Sequence, residues 1–333
     1  MTAVSHDVVG LGNAIVDVIA RAEDDFLISH GMRKGAMALI EEPRAESIYM
    51  AMGPAIEISG GAAANTIVGA ASLGARAAFV GKVKDDLLGR AFAHDIRAAG
   101  VTFDTPLADS GPSTGRSYIL VTPDGERTMN TYLGAAQRLT PQDVDPGLIA
   151  SSAITYLEGY LWDPRDAKEA FVKAAAAAHG AGRQVALTLS DAFCVDRWRE
   201  EFLDLIRQRT VDILFANEAE LKSLYQTASF DSATAAVRAE AQLAVVTRSE
   251  QGCLVVSRDA VTAVPAFPVA QVVDTTGAGD LFAAGFLFGL ARGVDHQSAA
   301  RLGALAAAEV IGHLGARPET SLKNLARQAG LPV

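Results

Sequence analysis

The sequence predicts a three-layer α/β/α domain with a mainly parallel central sheet and a small antiparallel β lid. Short runs rich in valine, isoleucine and leucine alternate with longer alanine-rich stretches along most of the chain. Strands of a parallel sheet are buried on both faces, so they appear as continuous apolar runs of this kind. The segment 116–132 departs from the alternation, because two β-rich arms flank a Pro-Asp-Gly turn sequence at 123–125. It predicts an antiparallel hairpin that would form part of the lid.

The predicted elements follow one another in regular order along the chain. Strands are predicted at 8–12, 77–81, 152–157, 185–189, 211–216 and 243–247. Helices are predicted at 61–73, 87–99, 164–179, 198–207 and 218–225. An apolar run at 269–273 and a helix at 281–290 flank a glycine-rich turn, so we expect a strand to precede that turn. A further strand is expected at 35–40, beside the hairpin.

The composition and charge of the chain argue against several classes of protein. Half of the 333 residues are hydrophobic and one-fifth are charged, which is typical of a globular protein. The net charge of −10 and the pI near 5.1 argue against a nucleic-acid partner, since phosphate backbones bind basic surfaces. The N-terminus lacks a signal-peptide pattern, and no apolar segment is long enough to span a bilayer. With two distant cysteines and no metal-binding spacing, we expect a cytoplasmic protein without a membrane partner.

The glycine-rich turn at 274–280 has the clearest chemical meaning. The main-chain amides of Gly277, Ala278 and Gly279 would lie at the start of a helix, where amides have no intrahelical partner and the helix dipole favours anions. Such a turn can bind a phosphate group. The carboxylate of Asp280, at the same place, can take a proton from an attacking hydroxyl. A tight turn with an acidic helix cap is the alternative interpretation of a short Gly-x-Gly-Asp sequence.

The full sequence of this turn, Asp-Thr-Thr-Gly-Ala-Gly-Asp, resembles the C-terminal signature of the ribokinase-like (PfkB) family of carbohydrate and nucleoside kinases. Two earlier motifs resemble the same family, namely Gly-Gly-Ala-Ala-Ala-Asn at 60–65 and Gly-Asn-Ala-Ile-Val-Asp at 12–17. The resemblance spans nearly the whole chain, so residues 1–333 are expected to form a single ribokinase-like kinase domain. Its lid would come from two insertions, at about 14–50 and 102–135.

The resemblance implies that the two N-terminal motifs bind the acceptor. Paired glycines let a substrate approach the main chain closely, and a carboxylate can accept hydrogen bonds from two vicinal hydroxyls. Taken alone, each motif is also compatible with a surface turn or a helix entered through glycines. The resemblance assigns acceptor binding to Asn13, Asp17, Gly60, Gly61 and Asn65.

Three later stretches resemble the nucleotide-binding parts of the family. Asn-Glu-Ala-Glu at 217–220 resembles its Asn-x-x-Glu motif, which organises Mg²⁺ and phosphates, and a capped helix is the alternative interpretation. Thr-Arg-Ser-Glu-Gln-Gly at 247–252 resembles its ATP-contacting loop, although Ser249 replaces the usual first glycine. The stretch 310–318 resembles the segment that completes the nucleotide pocket and, in some members, a monovalent-cation site.

The resemblance also implies the cofactors and the residues that contact them. The nucleotide-binding residues would be Asn217, Glu220, Thr247, Arg248, Gly252 and Thr276. ATP is the implied phosphate donor, and Mg²⁺ would lie near Glu220, held through water. Asp274 is the implied side chain at a monovalent-cation site, with K⁺ as the ion. An exposed, solvated arginine is an equally good interpretation of Arg248.

Within the family, the segment 12–17 is most similar to the bacterial adenosine kinases, as are Leu-Ser-Asp-Ala-Phe at 189–193 and Gly-Ala-Arg-Pro at 315–318. The resemblance therefore implies transfer of the ATP γ-phosphate to the 5′-hydroxyl of adenosine, giving AMP in purine salvage. A kinase of a free sugar or sugar acid, of the ribokinase or ketodeoxygluconate-kinase type, is the alternative. A non-catalytic nucleotide-binding protein on the same fold is a third interpretation, against which the intact 274–280 turn argues.

The lid is expected to provide an apolar slot for the purine base. Its walls could be Ile15, Met37, Leu39, Tyr118 and Leu120, although ordinary strand residues packing the lid's own face would have the same pattern. The open face and edges of such a sheet also offer a surface on which a second copy of the chain can pack. A monomer and a homodimer through the lid are both compatible with the sequence.

Overall fold

The structure is a computed structural model that describes residues 3–333. Its strands are β1 (His6–Leu11), β2 (Ile15–Arg21), β3 (Met37–Leu39), β4 (Ala55–Gly60), β5 (Ala77–Val80), β6 (Val101–Thr102), β7 (Gly115–Val121), β8 (Arg127–Tyr132), β9 (Ser152–Glu158), β10 (Gln184–Thr188), β11 (Ile213–Asn217), β12 (Leu243–Thr247), β13 (Cys253–Ser257) and β14 (Val261–Val264). Its α-helices are α1 (Asp24–Ser29), α2 (Glu42–Ala51), α3 (Ala62–Leu73), α4 (Leu87–Ala98), α5 (Pro146–Ala150), α6 (Arg165–Gly180), α7 (Ala192–Arg207), α8 (Glu218–Leu224), α9 (Phe230–Glu240), α10 (Ala278–Ala291), α11 (His296–Val310) and α12 (Leu322–Gln328).

Nine strands form the central sheet, in the spatial order β14-β13-β12-β11-β10-β9-β1-β5-β6. Every pairing from β12 to β6 is parallel, whereas β13 and β14 add antiparallel strands at one edge. The six strands predicted between 8–12 and 243–247 are all present, and the mainly parallel character of the sheet is confirmed. Because the parallel strands share one direction, their carboxyl ends lie along one edge, where open α/β sheets bind ligands.

Helices cover both faces of the central sheet. Val8 and Val9 of β1 belong to separate hydrophobic clusters, since successive residues of a strand face opposite sides. The cluster around Val8 contains Phe286 of α10, and the cluster around Val9 contains Phe171 of α6. This arrangement confirms the three-layer α/β/α fold. No helix in the described residues is both long enough and apolar enough to cross a membrane.

Five strands form a second, smaller sheet in the order β3-β8-β7-β2-β4. The predicted hairpin is confirmed as β7 and β8, and Gly125 in its turn has a φ of +85°, which glycine adopts without strain. The β2–β4 pairing is also antiparallel, while β2 pairs with β7 and β3 pairs with β8 in parallel. We call this sheet the lid. Its strand β4 lies between the two insertions that were predicted to form the lid, and outside both of them.

The strand predicted at 269–273 is wrong. Val272 and Val273 are 57% and 39% exposed, and the amide of Val273 donates to the carbonyl of Ile311 at 2.8 Å rather than to a strand. The sheet edge is occupied instead by the hairpin of β13 and β14, which the sequence did not predict. An apolar run alone does not identify a strand, and here the run lies outside the sheet.

Helix α7 begins six residues before its predicted start at 198. The side chain of Asp191 accepts a hydrogen bond from the amide of Cys194 at 2.6 Å and so caps the true N-terminus. Trp198 lies within the helix with non-helical angles, φ −123° and ψ 19°. The apolar periodicity is therefore interrupted at this kink, and only the second part of α7 was predicted.

Candidate active site

A cleft of about 960 Å³ lies between the lid and the carboxyl ends of the central strands. It is lined by eleven of the predicted site residues: Asn13, Asp17, Gly61, Asn65, Asn217, Glu220, Thr247, Thr276, Gly277, Gly279 and Asp280. The predicted residues that do not line the cleft are Gly60, Ala278, Arg248, Gly252 and Asp274. Motifs that are more than 200 residues apart in the sequence therefore meet in one place.

The turn at 274–280 enters helix α10 through Gly277, which has a φ of +77°. A Cβ atom at this glycine would lie 2.7 Å from the Cβ of Ala316, so the position also requires the absence of a side chain. The amide of Ala278 donates to the carbonyl of Thr275 at 3.2 Å and is not available to a ligand in this arrangement. Of the three amides predicted to bind an anion, those of Gly277 and Gly279 stay candidates, and both residues line the cleft.

The carboxylate of Asp280 lies in the cleft beside Asn65. The amide nitrogen Nδ2 of Asn65 donates to Oδ2 of Asp280 at 3.0 Å, across 215 residues of sequence. Burial raises the pKa of Asp280 to about 6, although the bond from Asn65 and the positive charge of Arg317 act in the opposite direction. A carboxylate with a pKa near 6 is ionised at neutral pH and is a stronger base than an exposed aspartate.

The paired glycines at the end of β4 leave room for their neighbours. A Cβ atom at Gly60 would lie 2.4 Å from the carboxyl carbon of Asp17, and one at Gly61 would lie 2.1 Å from the carbonyl oxygen of Asn13. Gly61 also has a φ of +101°, which strains any other residue. Burial raises the pKa of Asp17 to about 7, while the nearby charges of Arg317 and Arg127 lower it. Gly60 therefore shapes the site through Asp17, although it does not line the cleft itself.

Glu158, at the end of β9, is a site residue that was not predicted. Its carboxylate accepts from Nδ2 of Asn13 at 2.7 Å and from the amide of Ala63 at 2.9 Å. Burial raises the pKa of Glu158 to about 7, and these hydrogen bonds lower it. An acidic residue at the end of an apolar strand was the available signal in the sequence.

Two buried amide oxygens in the cleft have no hydrogen-bond partner among the described residues. They are Oδ1 of Asn13 and Oδ1 of Asn65. Each amide is oriented by a carboxylate, because its nitrogen donates to Glu158 or to Asp280. Buried polar atoms are rarely left unpaired, so both oxygens are suited to accept from hydroxyl groups of a ligand.

The motif at 217–220 forms a capping box at the start of α8. The amide of Glu220 donates to Oδ1 of Asn217 at 2.8 Å, and the amide of Asn217 donates to the carboxylate of Glu220 at 2.9 Å. Glu220 is buried, and burial raises its pKa to about 7, with the charges of Asp191 and Asp280 acting in the same direction. The capped-helix interpretation is thus correct, and the motif lines the cleft as well.

The loop after β12 lies partly outside the cleft. Nε of Arg248 donates to Glu218 at 3.1 Å, and its guanidinium stacks on Phe230 at 4.3 Å from the ring centre. Gly252 has a φ of +83°, and a Cβ atom there would lie 2.1 Å from the carbonyl oxygen of Val264. Both residues fix the loop that follows Thr247, which is the member of this motif that lines the cleft.

Asp274 is held by the lid through Arg127, a second residue that was not predicted. The two side chains form an ion pair at 2.7 Å and are only 1% and 9% exposed. The carboxylate of Asp274 also accepts from the amides of Thr276 at 2.9 Å and Gly315 at 2.8 Å. Arg127 donates to the hydroxyl of Thr276, while its buried Nε finds no partner among the described residues. A monovalent-cation site at Asp274 stays a prediction.

The apolar slot on the lid is present, but two of its predicted residues are wrong. Ile15, Met37 and Leu39 line the cleft. Tyr118 and Leu120 are buried on the other face of the lid, because alternate residues of β7 point to opposite sides. The lid residues that line the cleft instead are Ser117, Ile119, Met129 and Thr131, and Leu133, directly after β8, lines it as well.

Within residues 3–333, no group of three or more acidic, histidine or cysteine side chains is placed to hold a metal ion. Glu220, the predicted Mg²⁺ contact, lines the cleft, and an ion bound by one carboxylate would keep several of its waters. This arrangement is compatible with the predicted contact through water.

Comparison with known proteins points to one family. The sequence profile of pfkB family carbohydrate kinases matches residues 56–323. The chain is 56% identical to the adenosine kinase from Sinorhizobium meliloti, with a TM-score of 0.92 over 97% of this chain and 99% of that one. It is 51% identical to a probable sugar kinase protein from Rhizobium etli CFN 42, with a TM-score of 0.94 over 99% and 100% of the two chains. Fructokinase-1 from Zea mays is 32% identical over 262 residues, 76% of this chain and 80% of the maize protein.

The profile covers most of the chain and includes the turn at 274–280, the Gly-Gly-Ala-Ala-Ala-Asn motif at 60–65 and the capping box at 217–220. The same three motifs meet in the cleft. The chain therefore belongs to the pfkB family of carbohydrate kinases and is a ribokinase-like phosphotransferase with an alcohol group as acceptor.

Proposed function

We propose that this kinase transfers the γ-phosphate of ATP to the 5′-hydroxyl of adenosine, giving AMP. The contact between Asn65 and Asp280 carries the proposal, because it sets the base beside an acceptor-binding amide. A hydroxyl bonded to the unpartnered Oδ1 of Asn65 lies next to the carboxylate that takes a proton. The 56% identity to the Sinorhizobium meliloti adenosine kinase supports adenosine as the acceptor.

Asp280 is the general base in this reaction. It takes the proton of the 5′-hydroxyl as a bond forms between the 5′-oxygen and the γ-phosphorus, and the bond from that phosphorus to the bridging oxygen of ADP breaks. The amides of Gly277 and Gly279 donate to the transferred phosphoryl group, and the dipole of α10 favours its negative charge. Arg127 adds a positive charge beside the same turn, through its contact with Thr276.

Hydrogen bonds to the ribose orient the acceptor. Asp17 can accept from two vicinal hydroxyls, and the unpartnered oxygens of Asn13 and Asn65 can each accept from one. Gly61 lets the sugar approach the main chain without meeting a side chain. Together these groups hold the reacting hydroxyl near Asp280.

Glu220 is the proposed contact of Mg²⁺. Burial and the like charges of Asp191 and Asp280 disfavour its ionised form, so a cation beside it would relieve this repulsion. When bound, the ion neutralises charge on the ATP phosphates. Asn217 fixes the orientation of the Glu220 carboxylate, whose remaining lone pairs can accept from waters of the ion.

The purine base is proposed to occupy the apolar part of the cleft under the lid. Ile15, Ile119 and Met129 provide the wall on the central strands of the lid, and Met37 and Leu39 extend it along the edge strand β3. Small-molecule sites commonly pair such an apolar wall with a few polar groups that set orientation. A free sugar has no part that would cover this surface.

Replacing Leu39 with serine is expected to raise the KM for adenosine by about 5- to 30-fold, the loss of roughly 1–2 kcal/mol of apolar contact, and to leave kcat unchanged. Leu39 is 52% exposed in the open cleft, so the change costs little stability. The matched control is Val172→Ser, since Val172 is also 52% exposed but lies on α6 outside the cleft. Steady-state kinetics of both variants make the comparison. An unchanged KM in Leu39→Ser would contradict the base-binding slot.

A coupled assay of ADP release across adenosine, inosine, ribose, fructose and ketodeoxygluconate tests the proposal as a whole. We expect kcat/KM for adenosine to exceed that for each free sugar by at least about 100-fold, because only the nucleoside uses the apolar wall. The second candidate is a sugar kinase, which the identities to the maize fructokinase and the Rhizobium etli protein favour. Turnover of a sugar without turnover of adenosine would establish that candidate instead.

A further inference from the structure

Arg317 bonds to the main chain on both sides of the acceptor-binding glycines. Its Nε and Nη2 donate to the carbonyl of Ser59 at 3.0 and 2.7 Å, and Nη1 donates to the carbonyl of Ala64 at 3.0 Å. Nη2 also donates to the hydroxyl of Ser59 at 3.0 Å. The planar guanidinium thus fixes the separation of two carbonyls that enclose the Gly60–Gly61 turn.

The two residues before Arg317 contact the catalytic turn. The amide of Gly315 donates to Asp274 at 2.8 Å, and Ala316 packs so closely on Gly277 that no side chain fits there. Three consecutive residues therefore join the acceptor side of the cleft to the phosphate side. The distance between the acceptor hydroxyl and the 277–280 turn depends on this short segment.

Arg317 also stands among carboxylates from three different elements. They are Asp17 of β2, Asp95 of α4 and Asp280 of α10, and the charge of Arg127 from β8 also acts on Asp17. The positive charge of Arg317 lowers the pKa of both Asp17 and Asp280 against the effect of burial. Its own pKa is lowered by burial to about 10, so it stays charged at neutral pH.

Two further carboxylates face Asp280 from other elements, those of Glu158 on β9 and Glu220 on α8. The charge of Asp280 raises the pKa of both groups.

We propose that Arg317 is a positioning residue for phosphoryl transfer, which holds the Gly60–Gly61 turn against the 277–280 turn and places a positive charge near Asp17 and Asp280. The inference rests on the proposed kinase reaction but applies to any alcohol acceptor. The proposed role differs from a purely structural one, because replacing a structural residue would change the stability of the protein without changing the pKa of the base.

The test compares Arg317→Gln, which removes the charge, with Arg317→Lys, which keeps the charge but loses the planar fork. In Arg317→Gln we expect the acidic limb of the kcat–pH profile to move up by about one unit, since a nearby cation no longer favours the carboxylate. In Arg317→Lys the limb should stay in place. In both variants the KM for the acceptor should rise at least about tenfold, while the KM for ATP changes less than about twofold.

Arg292→Gln is the matched control. Arg292 also donates to a carboxylate and a carbonyl, those of Asp7 at 3.2 Å and Gly74 at 3.0 Å, but these bonds do not involve the Gly60–Gly61 turn or the 277–280 turn. This variant should lower the melting temperature without moving the pH limb or either KM. The comparison separates lost packing from lost positioning.

Each result decides the inference. A folded Arg317→Gln enzyme with an unmoved pH limb, or with equal changes in both KM values, overturns it. If Arg317→Gln does not fold, Arg317→Lys decides: a raised acceptor KM with an unmoved limb supports the inference, and wild-type kinetics overturn it. If adenosine is not the acceptor, the same tests use the alcohol that the wild type phosphorylates. A wild type that phosphorylates no alcohol removes both the proposed function and the inference.

Discussion

Asp280→Asn is expected to lower kcat by about 10³-fold and to change the dissociation constants of adenosine and ATP by less than about threefold. Asparagine keeps the shape of the side chain and can still accept the hydrogen bond from Asn65, but it cannot take a proton from the acceptor hydroxyl. Pre-steady-state kinetics give the rate of the chemical step, and calorimetric titration gives the affinities. Asp25→Asn, an exposed change on α1, is the control and should leave both unchanged.

The pH dependence of the wild type provides a second measurement of the same base. Because the pKa of Asp280 is about 6 and only the ionised form accepts a proton, kcat should rise with pH through about 6 and level off above it. The measurement uses saturating acceptor, since Asp17 has a pKa of about 7 and affects acceptor binding in the same range. The rise of kcat with pH should be absent from the residual activity of Asp280→Asn. A wild-type rate in that variant would remove Asp280 from the role of base.

Local patterns in the sequence were sufficient to predict the parallel strands of the central sheet and the site residues that lie within motifs. The strands from 8–12 to 243–247 were predictable because each is buried on both faces and therefore continuously apolar. The turn at 274–280 was predictable because phosphate binding at a helix start needs glycines and a following helix, which are adjacent in the chain. The strand predicted at 269–273 was wrong because apolar residues alone do not distinguish a buried strand from a partly exposed segment.

Side-chain direction on the lid could not be predicted without its register. A shift of one residue along a strand exchanges its two faces, so Tyr118 and Leu120 were predicted in the slot while Ser117 and Ile119 line it. The sequence of β7 is apolar or small at most positions, and it contains no alternation that fixes the face.

The side chains that hold the candidate site in place were also missed, since each lies far from its partner in the sequence. Glu158 orients Asn13 across 145 residues, and Arg317 reaches Ser59 across 258. No local pattern links such pairs, because a charged residue beside a strand or turn is usually solvated. Only the tertiary fold shows that these two charged side chains bond to residues at the site.

Arg127→Met is the second substitution with a large expected effect. It removes the partner of the buried Asp274, which we expect to lower the free energy of unfolding by about 3–5 kcal/mol. It also removes the lid's positive charge beside Thr276, and we expect kcat to fall by about 10²- to 10³-fold. Chemical denaturation and steady-state kinetics measure the two effects separately. The control is Arg116→Met, because Arg116 is also a buried lid arginine, but it bonds to Tyr118 and Ser113, both at 2.8 Å, and not to the 274–280 turn.

A double substitution distinguishes a catalytic Arg127 from one that serves only the ion pair. Adding Asp274→Asn to Arg127→Met replaces the unpaired buried charge with a neutral amide that can still accept from the amides of Thr276 and Gly315. Most of the lost stability should therefore return. The lost turnover should not return, because the positive charge beside the transferred phosphoryl group is still missing. If the double variant recovered both, Arg127 would act only through Asp274 and would have no direct part in phosphoryl transfer.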